Sequence, residues 1–200
     1  MTRIPNSGWG RHVTKGFTLL ELMVTVAVLA IVMSVAVPSF VNLVNNNRLT
    51  AQSNEILAAL LLARTEAIKR NESMVFCHSD DSINCTVPPA AGWQGWLVLG
   101  VVDDTPVASG IMLSEQTVML SSTNVANAQV NGVGHSVRFN PQGLLRSGDG
   151  NNPLNGVLRV CLPNTEMPMN IRDIEMRSGG RTRVIADSAG ENCPQPNDPV

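Results

Sequence analysis

An unbroken apolar run near the amino terminus is the first feature of the chain. From Leu22 to Val41 no residue is charged, and the polar side chains are Thr25, Ser34 and Ser39. A run of about 20 apolar residues matches the length of a helix that crosses a bilayer. The pattern therefore predicts a transmembrane helix, which we place at residues 17–44.

A helical stripe follows the polar stretch at residues 45–48. Apolar residues recur at intervals of three and four along one face, and charged residues fall mostly on the other face. The stripe comprises Ile56, Leu57, Leu60, Leu61, Ala63, Ala67 and Ile68. It predicts an amphipathic helix over residues 45–71 that packs on a globular domain, with Asn71 as a stop signal.

Beyond residue 71, short apolar runs alternate with turn signals such as Asn131-Gly132 and Gly148-Asp149-Gly150. This pattern is typical of short strands joined by turns. The runs are Met74–Cys77, Trp96–Val102, Ile111–Leu113, Thr117–Leu120, Ser136–Phe139, Val157–Cys161, Ile171–Met176 and Arg183–Ile185. Because no helices alternate with them, we predict a small antiparallel β-sandwich at residues 72–200, which ends in a C-terminal tail. The predicted fold class is α+β.

Charge and motif content narrow the function classes. The chain has 14 basic and 16 acidic residues, a net charge of -2, which does not suit a generic nucleic-acid binder. Any such role requires a local basic patch. No nucleophile elbow, phosphate-binding loop or metal-ligand cluster is found in the sequence. We therefore expect no enzymatic activity, no cofactor and no metal.

The junction before the apolar run carries the most specific signal. It reads Lys15-Gly16-Phe17-Thr18-Leu19-Leu20-Glu21. An ordinary secretory signal has a shorter apolar core and ends in a small-residue cleavage site after that core. A carboxylate such as Glu21 is costly in lipid and marks a candidate functional site.

This junction resembles the class III signal of type IV pilins and type II secretion pseudopilins. The resemblance implies a leader at residues 1–16 and a prepilin peptidase that cuts between Gly16 and Phe17 and methylates the new amino terminus. It implies that Glu21 pairs with the terminal amine of a neighbouring pilin during assembly. It also implies a single-pass inner-membrane protein with a periplasmic domain, which later enters a pilus on the cell surface.

Further segments of the sequence resemble the GspH/FimT branch of this family. The matching segments are Arg64–Asn71, Val75–Cys77, Gly92–Val98, Phe139–Gly143 and Gly180–Arg183. The branch contains secretion pseudopilins, pilus-priming minor pilins and FimT-type pilins implicated in DNA uptake.

The four cysteines follow the apolar run, so an extracytoplasmic domain would place them in an oxidising compartment. Three pairings are available. We predict Cys77–Cys85 and Cys161–Cys193, since short loops close at lower entropic cost. A metal site that includes His78 is the rival interpretation, and its spacing matches no common zinc pattern.

A basic group near the C terminus is the candidate binding site. If this segment is extended, Arg177, Arg181 and Arg183 share one face, and Gly180 lets the backbone approach a ligand closely. The alternative is a solvated edge strand in which Glu175 and Asp173 pair with the arginines.

The sequence Gly180-Arg181-Thr182-Arg183 resembles the Gly-Arg-x-Arg tail of DNA-binding FimT pilins. The resemblance implies a minor pilin that binds duplex DNA non-specifically for natural transformation. The alternatives are a structural, pilus-priming minor pilin and a type II secretion pseudopilin at the filament tip.

Replacement of Gly16 by a bulky residue tests the processing junction. We expect the unprocessed precursor to accumulate in the inner membrane, because the resemblance places the cut directly after Gly16. Mass spectrometry of the membrane-extracted protein measures the leader directly. Normal removal of the leader from this variant would contradict the class III interpretation.

Overall fold

A computed structural model of the chain describes residues 16–112, 117–163, 167–190 and 192–199. Contacts within the chain divide it into two units, Met1–Val41 and Asn42–Val200. The predicted leader lies outside the described residues except for Gly16.

Helix α1 runs from Leu19 to Arg70 and passes through Pro38. In the first unit, every described side chain from Gly16 to Val41 is exposed. The helix is long and apolar enough to cross a membrane. A single chain therefore leaves an apolar surface that needs a lipid or protein partner.

The C-terminal end of α1 is closed by backbone geometry that Asn71 makes available. Asn71 has a φ of 52°, in the left-handed region. Its N–H donates to the Ile68 carbonyl at 3.4 Å, and the Glu72 N–H donates to the Ala67 carbonyl at 3.2 Å. This pair of bonds is a Schellman motif, which asparagine tolerates better than most residues. The predicted helix stop at Asn71 is confirmed.

The second unit contains two antiparallel sheets. Within the described residues, the first sheet has the strand order β3-β2-β1-β5-β6 and the second the order β4-β7-β8-β9. A short helix, α2, lies between β4 and β5. The elements are β1 Met74–His78, β2 Gly95–Gly100, β3 Pro106–Ile111, β4 Val118–Ser121, α2 Thr123–Asn127, β5 Ser136–Phe139, β6 Leu145–Arg146, β7 Gly156–Cys161, β8 Ile171–Met176 and β9 Thr182–Asp187.

One apolar core joins the second half of α1 to both sheets. Leu60 of α1, Phe76 of β1, and Leu158 and Ile174 of the second sheet are fully buried in it. Burial of each such side chain stabilises the fold by about 1.5–3 kcal/mol. The predicted α+β class, with an amphipathic helix packed on antiparallel strands, is confirmed.

The first sheet is apolar on both faces, because neighbouring side chains of a strand point to opposite sides. Whereas Phe76 faces the main core, Val75 and Cys77 belong to a second buried cluster with Leu97 and Leu99. The disulfide-bonded loop that ends at Cys85 packs against this cluster.

Two strand predictions are wrong in position. Strand β2 ends at Gly100, not Val102, because the chain turns there and the Val101 N–H donates to the Ser73 carbonyl. The strand predicted at residues 111–113 lies earlier, at Pro106–Ile111. Its residues, Pro-Val-Ala-Ser-Gly-Ile, form a half-exposed edge strand, where an initial proline is tolerated and apolar and polar residues do not alternate. Leu113 lies outside the described residues.

The structure contains both predicted disulfides, Cys77–Cys85 and Cys161–Cys193. The second bond holds the C-terminal tail to strand β7. Further along the tail, the Pro194 carbonyl accepts a hydrogen bond from Arg159 Nη1 at 3.1 Å. Both carboxylate oxygens of Asp198 accept from the Asn124 N–H, in the first turn of α2, at 3.1 Å. The tail therefore joins β7 to α2.

The two disulfides should stabilise the fold unequally, because their loops span 8 and 32 residues. In the chain-entropy model the short loop contributes about 2.5 kcal/mol and the long loop about 3.7 kcal/mol. We expect the Cys161→Ser, Cys193→Ser variant to lose more unfolding free energy than the Cys77→Ser, Cys85→Ser variant. Urea denaturation of both variants and the parent measures this difference, and the reverse order would contradict the expectation.

Candidate functional site: a basic hairpin

The hairpin between β8 and β9, residues 175–183, forms the candidate site, and we call it the basic hairpin. The Arg177 N–H donates to the Arg181 carbonyl at 2.9 Å, and the Gly180 N–H donates to the Arg177 carbonyl at 2.8 Å. Gly180 has a φ of 78°. These contacts define a three-residue hairpin loop that ends in a left-handed residue, for which glycine is preferred.

Arg177, Arg181 and Arg183 line one open groove together with Glu175 and Gly179. The structure therefore brings the three predicted arginines together on one surface. Arg181 is exposed, and it forms no ion pair within the described residues. Its guanidinium is available to an anionic ligand.

Glu175 lies at the base of this groove and is 5% exposed. Its Oε1 accepts from Arg177 Nε at 2.5 Å, and its Oε2 accepts from Arg183 Nε and Nη2 at 2.9 and 2.6 Å. The β8–β9 register sets Glu175 directly across from Arg183. One buried carboxylate therefore fixes two arginines whose side chains remain partly in solvent.

Asp173, the second acidic residue expected to pair with these arginines, pairs with a different arginine. Asp173 forms a two-pronged contact with Arg159, in which Nε and Nη2 each donate at 2.7 Å. The register of β7 against β8 places these two residues opposite each other. The expectation that acids pair with the arginines of the basic hairpin is thus correct for Glu175 and wrong for Asp173.

Two opposing effects set the pKa of the Glu175 carboxyl. Burial raises it, whereas hydrogen bonds from Arg183 and Arg177 lower it, and the pKa is below its usual value. Glu175 is therefore ionised at neutral pH, and the four ionisable groups of the groove carry a net charge of about +2.

The loop of the basic hairpin is tied to the rest of the domain. The Ser178 N–H donates to Asn155 Oδ1 at 2.8 Å, and the Ser178 carbonyl accepts from the Leu145 N–H at 3.0 Å. A Cβ atom at Gly180 would collide with the Gly143 carbonyl oxygen. Gly180 therefore allows close packing within the domain, whereas the sequence suggested an approach to a ligand.

The predicted processing residues lie at the start of the described chain. Gly16 and Phe17 precede α1, and Phe17 is 84% exposed. Thr18 Oγ1 accepts from the Glu21 N–H at 3.2 Å, as an N-cap residue does. This cap belongs to the Thr-x-x-Glu pattern of a capping box, a signal that the sequence analysis missed. The roles of Gly16, Phe17 and Glu21 in processing and assembly stay predictions.

His78, the candidate for a rival metal site, is buried beside the first disulfide. Its Nδ1 lies 3.0 Å from both the carbonyl oxygen and the Oγ1 of Thr86, and burial lowers the pKa of its ring. Cys77 is disulfide-bonded. Among the described residues, no group of three or more His, Cys, Asp or Glu side chains has a metal-binding arrangement.

An exposed apolar helix that continues into a β-domain, preceded by this junction, defines a type IV filament subunit. The family model described as type II transport protein GspH matches residues 52–190, and the prokaryotic N-terminal methylation motif matches residues 11–37. The first match covers more than half of the chain. The chain therefore belongs to the GspH family of minor type IV pilins and type II secretion pseudopilins.

Two kinds of solved structure are similar to this chain. The type IV minor pilin FimU of Pseudomonas aeruginosa is 16% identical, with a TM-score of 0.49, and the match covers 70% of this chain and 90% of FimU. The minor pseudopilin EpsH from the type 2 secretion system of Vibrio cholerae is 12% identical, with a TM-score of 0.46. The match covers 68% of this chain and 95% of EpsH. No curated protein sequence matches the chain significantly.

Substitution of Glu175 by Gln tests the buried carboxylate. Because the native pKa is below the unfolded value, its stabilisation is fully present above the unfolded pKa. That stabilisation disappears as pH falls through the lowered native pKa. We expect the variant to lose about 1–3 kcal/mol of unfolding free energy at pH 7. The gap to wild type should shrink below about pH 4. Denaturation of both proteins at pH 7 and below about pH 4 measures the difference in unfolding free energy. An equal difference at both pH values would contradict the role of the ionised Glu175 carboxylate.

Proposed function

We propose that this family member is a minor type IV pilin whose basic hairpin binds extracellular DNA for uptake in natural transformation. The exposed Arg181, next to two arginines held by Glu175, is the observation that carries the proposal. Guanidinium groups bind phosphate oxygens through paired hydrogen bonds. In this mechanism the arginines hold duplex phosphates while pilus retraction draws the DNA inward.

The composition of the groove sets the kind of binding that we expect. Among the residues that the structure describes, no aromatic side chain lines it, so stacking on bases and sequence reading are not part of the proposal. Because Glu175 leaves the groove with a net charge of about +2, neutralisation of about two phosphates would give a slope of about -1.8 in log K against log salt. Affinity should be modest, because Glu175 offsets one of the three charges.

The anchor and the leader give the proposed location. The protein crosses the inner membrane once through α1, with its disulfide-bonded domain in the periplasm, and then enters the pilus. Its family implies assembly with other pilins and processing by prepilin peptidase. Filament subunits of this kind act by assembly and not by catalysis.

A second candidate function rests on the same carboxylate. Glu175 already pairs with Arg177 and Arg183, which is also what a purely structural hairpin would require. In that case the chain primes a pilus, or serves as a pseudopilin at the tip of a type II secretion filament. Its partners are then other pilins or an exported protein.

Binding of labelled duplex DNA to the full chain in neutral detergent distinguishes these functions. The test variant is Arg181→Ala, Arg183→Ala, and Arg181→Ala alone leaves the Glu175 pairs intact. The control, Arg48→Ala, Lys69→Ala, also removes two positive charges, but from exposed positions of α1. Circular dichroism establishes that each variant is folded, and the salt series runs from about 50 to about 200 mM.

We expect the wild type and the control to bind, with affinity that falls as salt rises. The double hairpin variant should lose binding, and Arg181→Ala should reduce the salt slope by about one. Equal losses in the control and the hairpin variant would assign binding to overall charge and contradict the proposed site. No binding by wild type at low salt would refute the DNA function and favour the second candidate.

A further inference from the structure

Three segments that are far apart in the sequence meet behind the basic hairpin. They are the second half of α1 at Arg64, the Asn140–Gly143 turn after β5, and the hairpin loop at Gly180. Arg64 Nη1 donates to the Gly180 carbonyl at 2.8 Å across 116 residues of sequence. This bond joins α1 to the hairpin loop, and a Cβ atom at Gly180 would collide with the Gly143 carbonyl oxygen of the turn.

The Arg64 guanidinium lies directly against two glycines. A Cβ atom at Gly143 would lie 3.1 Å from Arg64 Nε, and one at Gly180 would lie 2.9 Å from Arg64 Cζ. Both glycines have positive φ, 72° and 78°. Their backbones thus form a slot without side chains, which a flat guanidinium fills.

Arg64 Nε is buried in this slot and has no hydrogen-bond partner in the described part of the chain. An unpaired buried N–H is costly, so the hydrogen bond to Gly180 and the flat packing must offset that cost. An arginine that only solvates the surface of a helix would need neither the hydrogen bond to Gly180 nor the close packing against two glycines. These contacts indicate that the guanidinium holds the loop in place.

We propose that Arg64 is a positioning residue, which holds the loop of the basic hairpin against α1 and so fixes the directions of Arg177 and Arg181. The loop carries one arginine at each end, and the Arg64 contact is at Gly180, immediately before Arg181. The positioning itself is independent of any ligand. Its effect on DNA affinity rests on the function proposed above.

The test variant is Arg64→Gln, with Lys69→Gln as the control. Lys69 lies on the same helix, is largely exposed and pairs with Glu66, so the control removes an equal charge without touching the loop. Arg64→Lys keeps the positive charge but lacks the flat guanidinium. Hydrogen exchange of the Arg177 and Gly180 amides, measured on the full chain in neutral detergent, reports the loop directly.

We expect Arg64→Gln to speed exchange of these two amides by about threefold or more, while amides of β7 stay protected. In the DNA assay its affinity should fall about threefold to tenfold, because binding must then order a loose arginine. The salt slope should stay unchanged, since the phosphate-binding arginines remain. Lys69→Gln should change neither exchange nor affinity.

The two readouts separate failure of the inference from failure of the DNA function. Unchanged exchange at Arg177 and Gly180 in Arg64→Gln would overturn the positioning role, whatever the DNA result. Absence of DNA binding by wild type would refute the proposed function, and exchange would still decide the role of Arg64. If Arg64→Lys restored full affinity while the loop amides still exchanged fast, Arg64 would act through charge, and positioning would be wrong.

Discussion

The constraint on which the structure depends is that one continuous helix must serve two environments. From Leu19 to Val41, α1 exposes apolar side chains on all sides, whereas from Leu49 onward one face is buried in the core. Hydrophobic burial is not directional, so each half needs its own partner: lipid or other subunits for the first, two sheets for the second. The β-domain therefore supplies the apolar surface against which the buried face of the second half of α1 packs.

Much of this could be predicted from the sequence, because the relevant signals are local. The apolar run, the stripe that contains Ile56 and Leu60, and the stop at Asn71 each depend on residues within a few positions of one another. The position of strand β3 is predicted wrongly because its half-exposed edge sequence, Pro-Val-Ala-Ser-Gly-Ile, does not alternate between apolar and polar residues. The Arg64 contact with Gly180 could not be predicted, since it joins residues 116 positions apart through a tertiary slot.

The sequence pattern brings the arginines of the candidate site together but does not determine which of their charges are neutralised. Alternation placed the arginines on one face, and the same alternation placed Glu175 among them. The β8–β9 register pairs Glu175 with Arg183, and Glu175 also binds Arg177 two residues further along the chain. The β7–β8 register pairs Asp173 with Arg159 instead. Cross-strand neighbours decide which charges are neutralised, and sequence parity alone does not specify them.

Glu175 has opposite effects on charge and on order, and the balance between them bears on function. A buried carboxylate removes one unit of positive charge from the groove, which weakens attraction for a polyanion. It also holds Arg177 and Arg183 in fixed directions, which lowers the entropy lost when a ligand binds. Glu175 does not pair with Arg181. The loop that carries Arg181 is held instead by the contacts at Ser178 and Gly180. The hairpin thus combines two arginines that are held by a buried carboxylate with one exposed arginine on an anchored loop.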